Sequence, residues 1–252
     1  LSNLLESFKQ VDRLLVHTIN DLNRLKKIGL NSNLTLFPHG FLDFTPSSKS
    51  IFTSIKSSFR KQFFHIGTYG FCLPNKGYRE LILACNTLIK KGFNLKLTIF
   101  SAIYSDDYSW VYDQLIDLIV ELNLTKYISI KSEYMKDDNT LKNLSNCDCL
   151  VFPYQNTGES SSASVRHGIA SNKNIFVTPS PIFEDVSLLV NYLPGFSHHE
   201  IALGLERWFT ESPDFMGKVN EFDSQRESIL SERRFSRLSY RLISIIKSLE
   251  SN

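Results

Sequence analysis

The sequence predicts an α/β domain built on a parallel sheet with helices on both faces. Strand-like runs alternate with stretches of helical spacing along most of the chain, the pattern of repeated strand–helix–strand units. Several of those runs, LTIF, CLVFPY and IFVTP, are continuously apolar, as strands are when both faces are buried. With 252 residues, 42% of them hydrophobic, the chain is long enough for one large domain with a sizeable core.

The elements follow in order. LSNLLESFKQ reads as a helix, RLLVHT as a strand, INDLNRLKKIG as a helix and LTLFPHG as a strand. FTPSSKS reads as a linker, because Pro and Ser cluster there. QFFHIGTYG, with Phe63–Ile66 in it, should form a strand that ends in the loop TYGFCLPNKG. In YRELILACNTLIKKG, Leu81, Ile82, Cys85, Leu88 and Ile89 recur at helical spacing, and Gly92 stops the helix. Further strands are expected at Leu97–Phe100, Ile128–Ile130, Leu150–Phe152 and Ile175–Val177. Between them lie the helices SWVYDQLIDLIVELNL and NTLKNLSNC and a short helix led by serines. From Ser197 onward the chain reads as helical, opening near His198–His199 and closing with FSRLSYRLISIIKSLE.

Composition excludes several classes. A net charge of +2 gives no strong field for nucleic acid or an anionic membrane. Cys72, Cys85, Cys147 and Cys149 lie in or beside apolar segments without zinc-site spacing, so buried thiols in a reducing compartment are expected. No apolar run is long enough to span a bilayer, and no signal peptide is evident. The chain lacks an initiator Met and begins inside a helical pattern, so a fragment of a longer protein is expected.

Ligands of an open parallel sheet bind where the carboxyl ends of strands lead into helices. Three such loops carry unusual residues. GTYGFCLPNKG offers flexible backbone and Lys76, KSEYMKDDN offers Tyr134 and Met135, and QNTGESSSAS offers Glu159 with Ser160, Ser161 and Ser162. Serines that open a helix can cap it, while its unpaired N–H groups and partial positive charge favour an anion. A lysine and a serine-led helix on one sheet edge suggest a diphosphate site, with Glu159 facing what the phosphates carry. The plainer reading makes the serines ordinary caps, Lys76 a solvated lysine and Glu159 an acid near a helix dipole. Arg166 could pair with Glu159, reach phosphate or be exposed, and His167 is structural or solvated. Asp106–Asp107 and Asp137–Asp138 read as loop acids, and no metal set is evident.

VHTINDLNRLKKIG with LTLFPHG, then HIGTYGFCLPNKGYRELILAC, then LSNCDCLVFPYQNTGESSSASVRHGIASNKNIFVTPSPIFEDV resemble the donor-binding half of glycosyltransferase family 4, enzymes of the GT-B fold. The likeness runs from about Arg13 to Val190, and its last block is the most specific. It implies a Rossmann-like nucleotide-sugar domain over residues 45–235, preceded by a remnant of an acceptor domain with its linker at 1–44 and followed by a C-terminal helix at 236–252. It implies a retaining transfer from a UDP- or GDP-linked sugar to a glycan or lipid-linked acceptor, with no cofactor, metal or nucleic acid. A missing N-terminal Rossmann-like domain would be the partner, the location cytoplasmic, with peripheral membrane contact through the missing part.

By the same resemblance Lys76 contacts phosphate, Glu159 contacts the donor sugar, and the Tyr134–Met135 loop holds the base. Gly70, Phe71, the three serines and His167 line the donor. Two departures stand out. The second Glu expected eight positions after the first, at the ribose, is His167, and the Arg expected five before the lysine is Phe71. Arg166 is the candidate to compensate. The competing readings are a degenerate domain of this fold that binds without transfer, a nucleotide-sugar epimerase, and a signalling α/β domain.

Overall fold

The computed structural model describes residues 2–43, 63–210 and 219–250. The predicted linker at 44–50 lies outside them. The amino-terminal part holds helix α1 (Ser2–Lys9), strand β1 (Leu14–Val16), helix α2 (Ile19–Lys27) and strand β2 (Leu34–Leu36). β1 and β2 form a separate two-stranded parallel sheet. Thr18 caps α2 by accepting from Asp21 N.

The main body alternates as expected. It runs β3 (Phe64–Phe71), α3 (Tyr78–Lys90), β4 (Leu95–Ala102), α4 (Ser109–Glu121), β5 (Ile128–Lys131), α5 (Asp137–Ser145), β6 (Cys149–Phe152), α6 (Ala163–Ala170) and β7 (Asn174–Val177). A 3₁₀ segment (Pro181–Leu189), strand β8 (Asn191–Tyr192) and helices α7 (His198–Thr210), α8 (Val219–Glu232) and α9 (Phe235–Glu250) complete it. The six strands form one parallel sheet in the order β5-β4-β3-β6-β7-β8. Counted from β3, that is the 3-2-1-4-5-6 order of nucleotide-binding sheets, and it reverses between β3 and β6.

The alternation of side chains sorts the core into two layers. Cys149, Val151 and Phe176 face a cluster with Leu81, Leu88, Leu115 and Ile201 from α3, α4 and α7. Leu150, Phe152, Ile175 and Val177 face the other cluster, with Leu144, Val165, Ile169 and Phe183. Leu81, Ile82 and Leu88 are fully buried. Each contributes about 1.5–3 kcal/mol relative to exposure, so α3 is held by packing more than by propensity.

Three expectations need adjustment. β3 runs one residue past QFFHIGTYG and stays in register with β4 as far as Phe71↔Ala102, because the long neighbour supplies ladder partners that outweigh two glycines. Gly70 and Phe71 therefore lie on the strand end, not in a loop. α5 begins two residues before Asn139, at Asp137. The two-residue strand β8 and the 3₁₀ segment had no clear signal in the sequence.

α9 returns to the amino-terminal segment. Phe41 and Arg234 form a parallel bridge, and Arg241 donates to the Leu36 carbonyl at 2.8 Å. Phe235, Tyr240, Leu242, Ile243 and Ile246 of α9 remain substantially exposed. Among the described residues no helix is long and apolar enough to cross a membrane.

Candidate functional site

The strand order reverses between β3 and β6, and the loops that follow these two strands lie against each other at the carboxyl edge of the sheet. The β3 loop carries Lys76 and the β6 loop carries Glu159. The backbone stitches the two loops together. Gln155 N donates to the Asn75 carbonyl at 2.8 Å. Gly77, which precedes α3 with φ +72°, lies so close to the Pro153 carbonyl that a Cβ would sit 1.7 Å from the oxygen. Gln155 also fastens its loop through Nε2, which donates to Pro153 O at 2.9 Å and Phe196 O at 3.2 Å.

Lys76 Nζ donates to both carboxylate oxygens of Glu159, at 3.2 and 3.3 Å. The lysine side chain is 9% exposed and the glutamate 49%, so the cation is set into the wall and the acid reaches into solvent. Beneath the ammonium lies the buried ring of Tyr154, with Nζ 4.2 Å from its centroid, a cation–π contact in a desolvated position. The Ser162 hydroxyl donates to Tyr154 OH at 3.2 Å and accepts from Val165 N at 3.3 Å, capping α6. Lys76, Tyr154 and the start of α6 thus form one connected unit.

Of the three serines, only Ser162 is a cap; Ser160 is exposed and Ser161 half-buried in the preceding loop. Gly70 at the end of β3 brings its backbone close to α6, since a Cβ there would lie 3.1 Å from Ser164 Oγ and from Tyr78 OH. Phe71 is 41% exposed, with its ring 5.3 Å from that of Tyr104. An exposed aromatic edge therefore stands where the resemblance would place an arginine. Tyr134 is 74% exposed on the loop before α5. Met135 is held from behind: its carbonyl accepts from Thr140 and its sulfur from Asn143, each at 3.4 Å.

Arg166 is neither exposed nor paired with Glu159. It is 3% exposed, and its guanidinium forms a short charge-assisted contact with Asp185. It also donates to the Ser162 carbonyl at 2.5 Å and the His39 carbonyl at 3.5 Å. Burial lowers its pKa and Asp185 holds it up. Arg233 donates to the Asp185 carbonyl at 2.8 Å, so the cluster joins α6, the 3₁₀ segment, the end of α8 and the stretch before Phe41. The sequence gives no sign of this, because Arg166 and Asp185 stand 19 residues apart in different elements. Burial, then the Arg166 charge, also pulls His39 below its ordinary value.

His167, the other departure, is engaged at both ring nitrogens. Nδ1 meets the Ala163 carbonyl at 3.2 Å and Nε2 meets Asp137 Oδ1 at 3.0 Å, with the Tyr69 ring 5.0 Å away. Burial raises the pKa of Tyr69. Asp137 was read in the sequence only as a loop acid, and Tyr154, Gly77 and Asp185 were not singled out. Only the glycine beside Lys76 carries a local signal, and the others are placed by the fold.

No family model and no curated protein matches the chain. Solved structures do. A glycosyltransferase from Rickettsia africae superposes with a TM-score of 0.74 at 14% identity, over 100% of this chain and 68% of that one. Sucrose-phosphate synthase from Thermosynechococcus elongatus gives 0.74 at 12%, over 96% of this chain and 59% of that one. HepE from Anabaena, solved with UDP and glucose, gives 0.70 at 13%, over 96% and 64%. The chain thus has the Rossmann-like parallel sheet of GT-B enzymes and spans roughly three-fifths to two-thirds of the length of these structures.

Proposed function

We propose that this chain is the donor-binding half of a retaining glycosyltransferase of family 4 type, which moves a hexose from a UDP- or GDP-linked donor to a glycan or lipid-linked acceptor. The observation that carries the reading is the Lys76–Glu159 pair at the strand-order reversal, joined through Tyr154 to the capped start of α6. Cleaving a sugar–phosphate bond builds negative charge on the leaving diphosphate and positive charge on the sugar. A fixed cation and oriented N–H groups at the phosphates lower that barrier without reorganisation. In this reading Lys76 and the first turn of α6 hold the diphosphate without a divalent ion, and Ser160 and Ser161 add hydroxyls. Glu159 orients sugar hydroxyls, and the Tyr134–Met135 loop takes the base beside Gly70 and Phe71. Arg166, committed to Asp185, sets the position of α6 through the Ser162 carbonyl and does not touch the donor.

A preceding Rossmann-like domain supplies the acceptor site. The separate β1–β2 sheet and the exposed apolar side chains of α9 support such a neighbour. The enzyme works in the cytoplasm, at the inner face of a membrane when its acceptor is lipid-linked, and serves polysaccharide assembly.

Calorimetry with UDP- and GDP-sugars, with and without EDTA, tests the site. Binding should survive chelation. Lys76→Ala should weaken the bare nucleoside diphosphate by about 1.5–3 kcal/mol, the range for a charge-assisted bond. Glu159→Gln should not weaken that ligand, because it removes the lysine's resting partner, and should cut sugar transfer in the full-length enzyme. Binding that vanishes on chelation, or normal transfer by both variants, would overturn the assignment.

A further inference from the structure

A hollow of about 480 Å³ lies beside the lysine loop, between the start of α3 and the length of α4. That size is ordinary for a small-molecule site. Leu73, Pro74 and Asn75 line one end together with Gln155, whose N–H is bonded to the Asn75 carbonyl, so the hollow and the Lys76–Glu159 pair share a wall. Within that wall Lys76 turns onto Glu159 and Tyr154, while Asn75 lines the hollow. The long side is a single row on α4. Trp110, Gln114, Asp117 and Glu121 stand at i, i+4, i+7 and i+11, one face of the helix, and the row runs about 16 Å at 1.5 Å per residue. Beside this row the buried Val111 and Leu115 make an apolar floor. The Trp110 side chain is 47% exposed. Among the described residues the side chains of Asn75, Trp110, Gln114, Asp117 and Glu121 have no hydrogen-bond partner. The carboxylates of Glu80, Asp117 and Glu121 face only one cation, Arg79, which lies 4.0 Å from Glu80.

We infer that this hollow is a docking groove for a neutral glycan chain, separate from the nucleotide site. A sugar ring joins an apolar C–H face to a rim of hydroxyls. The exposed indole offers the face a flat apolar platform. Its N–H, the amides of Asn75 and Gln114 and the carboxylates of Asp117 and Glu121 offer the hydroxyls both acceptors and donors. The excess of carboxylates repels phosphates and uronates, so a nucleotide belongs at Lys76 and not here. The groove is elongated along α4, which suits an extended oligosaccharide better than a single sugar. The choice of a glycan over another neutral polyol rests on the transferase reading above, since that enzyme handles glycans. A chain held here stays with the enzyme while the donor site across the lysine loop empties and refills.

The test titrates the whole chain with maltohexaose, cellohexaose and chitohexaose, with hexagalacturonate as the acidic counterpart and UDP and GDP in parallel. Calorimetry reads every titration. Tryptophan fluorescence reads the groove, because the chain has two tryptophans and Trp208 is packed among Phe64, Phe176 and Phe209. At least one neutral hexamer should bind and shift the Trp110 emission to the blue, and hexagalacturonate should not. Trp110→Ala should weaken that hexamer about tenfold or more, and Gln114→Ala about twofold to tenfold. Both variants should keep the native melting temperature and nucleotide affinity. Lys76→Ala should show the reverse, weakening the nucleotide and sparing the hexamer. Asp117→Asn with Glu121→Gln should narrow the gap between neutral and acidic hexamers. Nucleotide binding with no response to any neutral hexamer would overturn the groove and leave the donor site standing. Hexamer binding unchanged in Trp110→Ala, or a native preference for hexagalacturonate, would overturn it likewise. Hexamer binding that Trp110→Ala abolishes, in a chain that ignores UDP and GDP, would uphold the groove and overturn the donor reading.

Discussion

Replacing Gly77 by alanine drives a methyl group into a backbone carbonyl. The added Cβ would lie 1.7 Å from the Pro153 oxygen, where ordinary van der Waals contact begins at 3.4 Å. Backbone cannot rotate away as a long side chain can, so either the lysine loop or the glutamate loop must shift. The residue also has φ +72°, which costs an L-residue about 1–2 kcal/mol. Overpacking adds about 1–3 kcal/mol. The stiffer unfolded chain returns about 0.4–1 kcal/mol. The net loss should be about 2–4 kcal/mol, or roughly 5–15 °C in melting temperature for a domain of this size. Gly92 is the internal control: its φ is +91° and nothing lies within 4 Å of its added Cβ. Gly92→Ala bears only the conformational cost, should melt within about 6 °C of the native chain, and should lose less than Gly77→Ala by the overpacking share. Thermal unfolding of the two variants, followed by circular dichroism, reads the difference directly. If they melt within about 1 °C of each other, the close approach of the two loops is wrong, and with it the geometry that sets Lys76 against Glu159.

Asp185→Ala strands the buried Arg166 guanidinium and should destabilise the fold by about 3–5 kcal/mol in urea unfolding, and Arg166→Met with Asp185→Leu should recover much of it; a single variant as stable as the native chain would refute the buried pair. Burial holds His39 below 6.5, so the unfolded chain binds more protons between the folded value and 6.5, and stability should fall as pH drops through that window. His39→Gln should flatten this slope in part, leaving the same-signed share of His198, and an unchanged acid limb would contradict the burial. Burial pushes the thiols of Cys85 and Cys147 up to about 12, so neither should react with a disulfide reagent at pH 8 before the protein unfolds; fast labelling of all four cysteines of the native chain would refute their enclosure.

The fold was legible because strands buried on both faces leave a continuous apolar run, and three such runs lie among helices of clear period. Strand ends were not, since the length of β3 is set by β4, a partner distant in sequence. The same division holds at the site. Lys76 and Glu159 are visible because each stands in a loop of unusual composition just after an apolar run. Arg166 was misplaced because nothing local shows that it shares the inward side of α6 with Val165 and Ile169 and turns onto Asp185. Its partner Asp185 lies in a 3₁₀ segment whose apolar pattern conceals an acid turned inward. Asp137 read as a solvated loop acid because nothing local shows that a histidine 30 residues on will reach it.

Glu159 and Lys76 neutralise each other at rest, which makes any anion approaching the lysine a competitor and not simply a guest. The ammonium is nearly enclosed and the carboxylate half in water, so the acid is the partner that can leave. An anion that takes the lysine therefore sets the glutamate loose. A ligand made of phosphates alone leaves that carboxylate to water, whereas one with hydroxyls beyond its phosphates gives it new donors in the same step. On the proposed donor reading the pair weighs a ligand as a whole: its two ends reinforce each other through a single exchange of partners, and cutting the ligand between them dissolves that reinforcement and lets the original pair re-form.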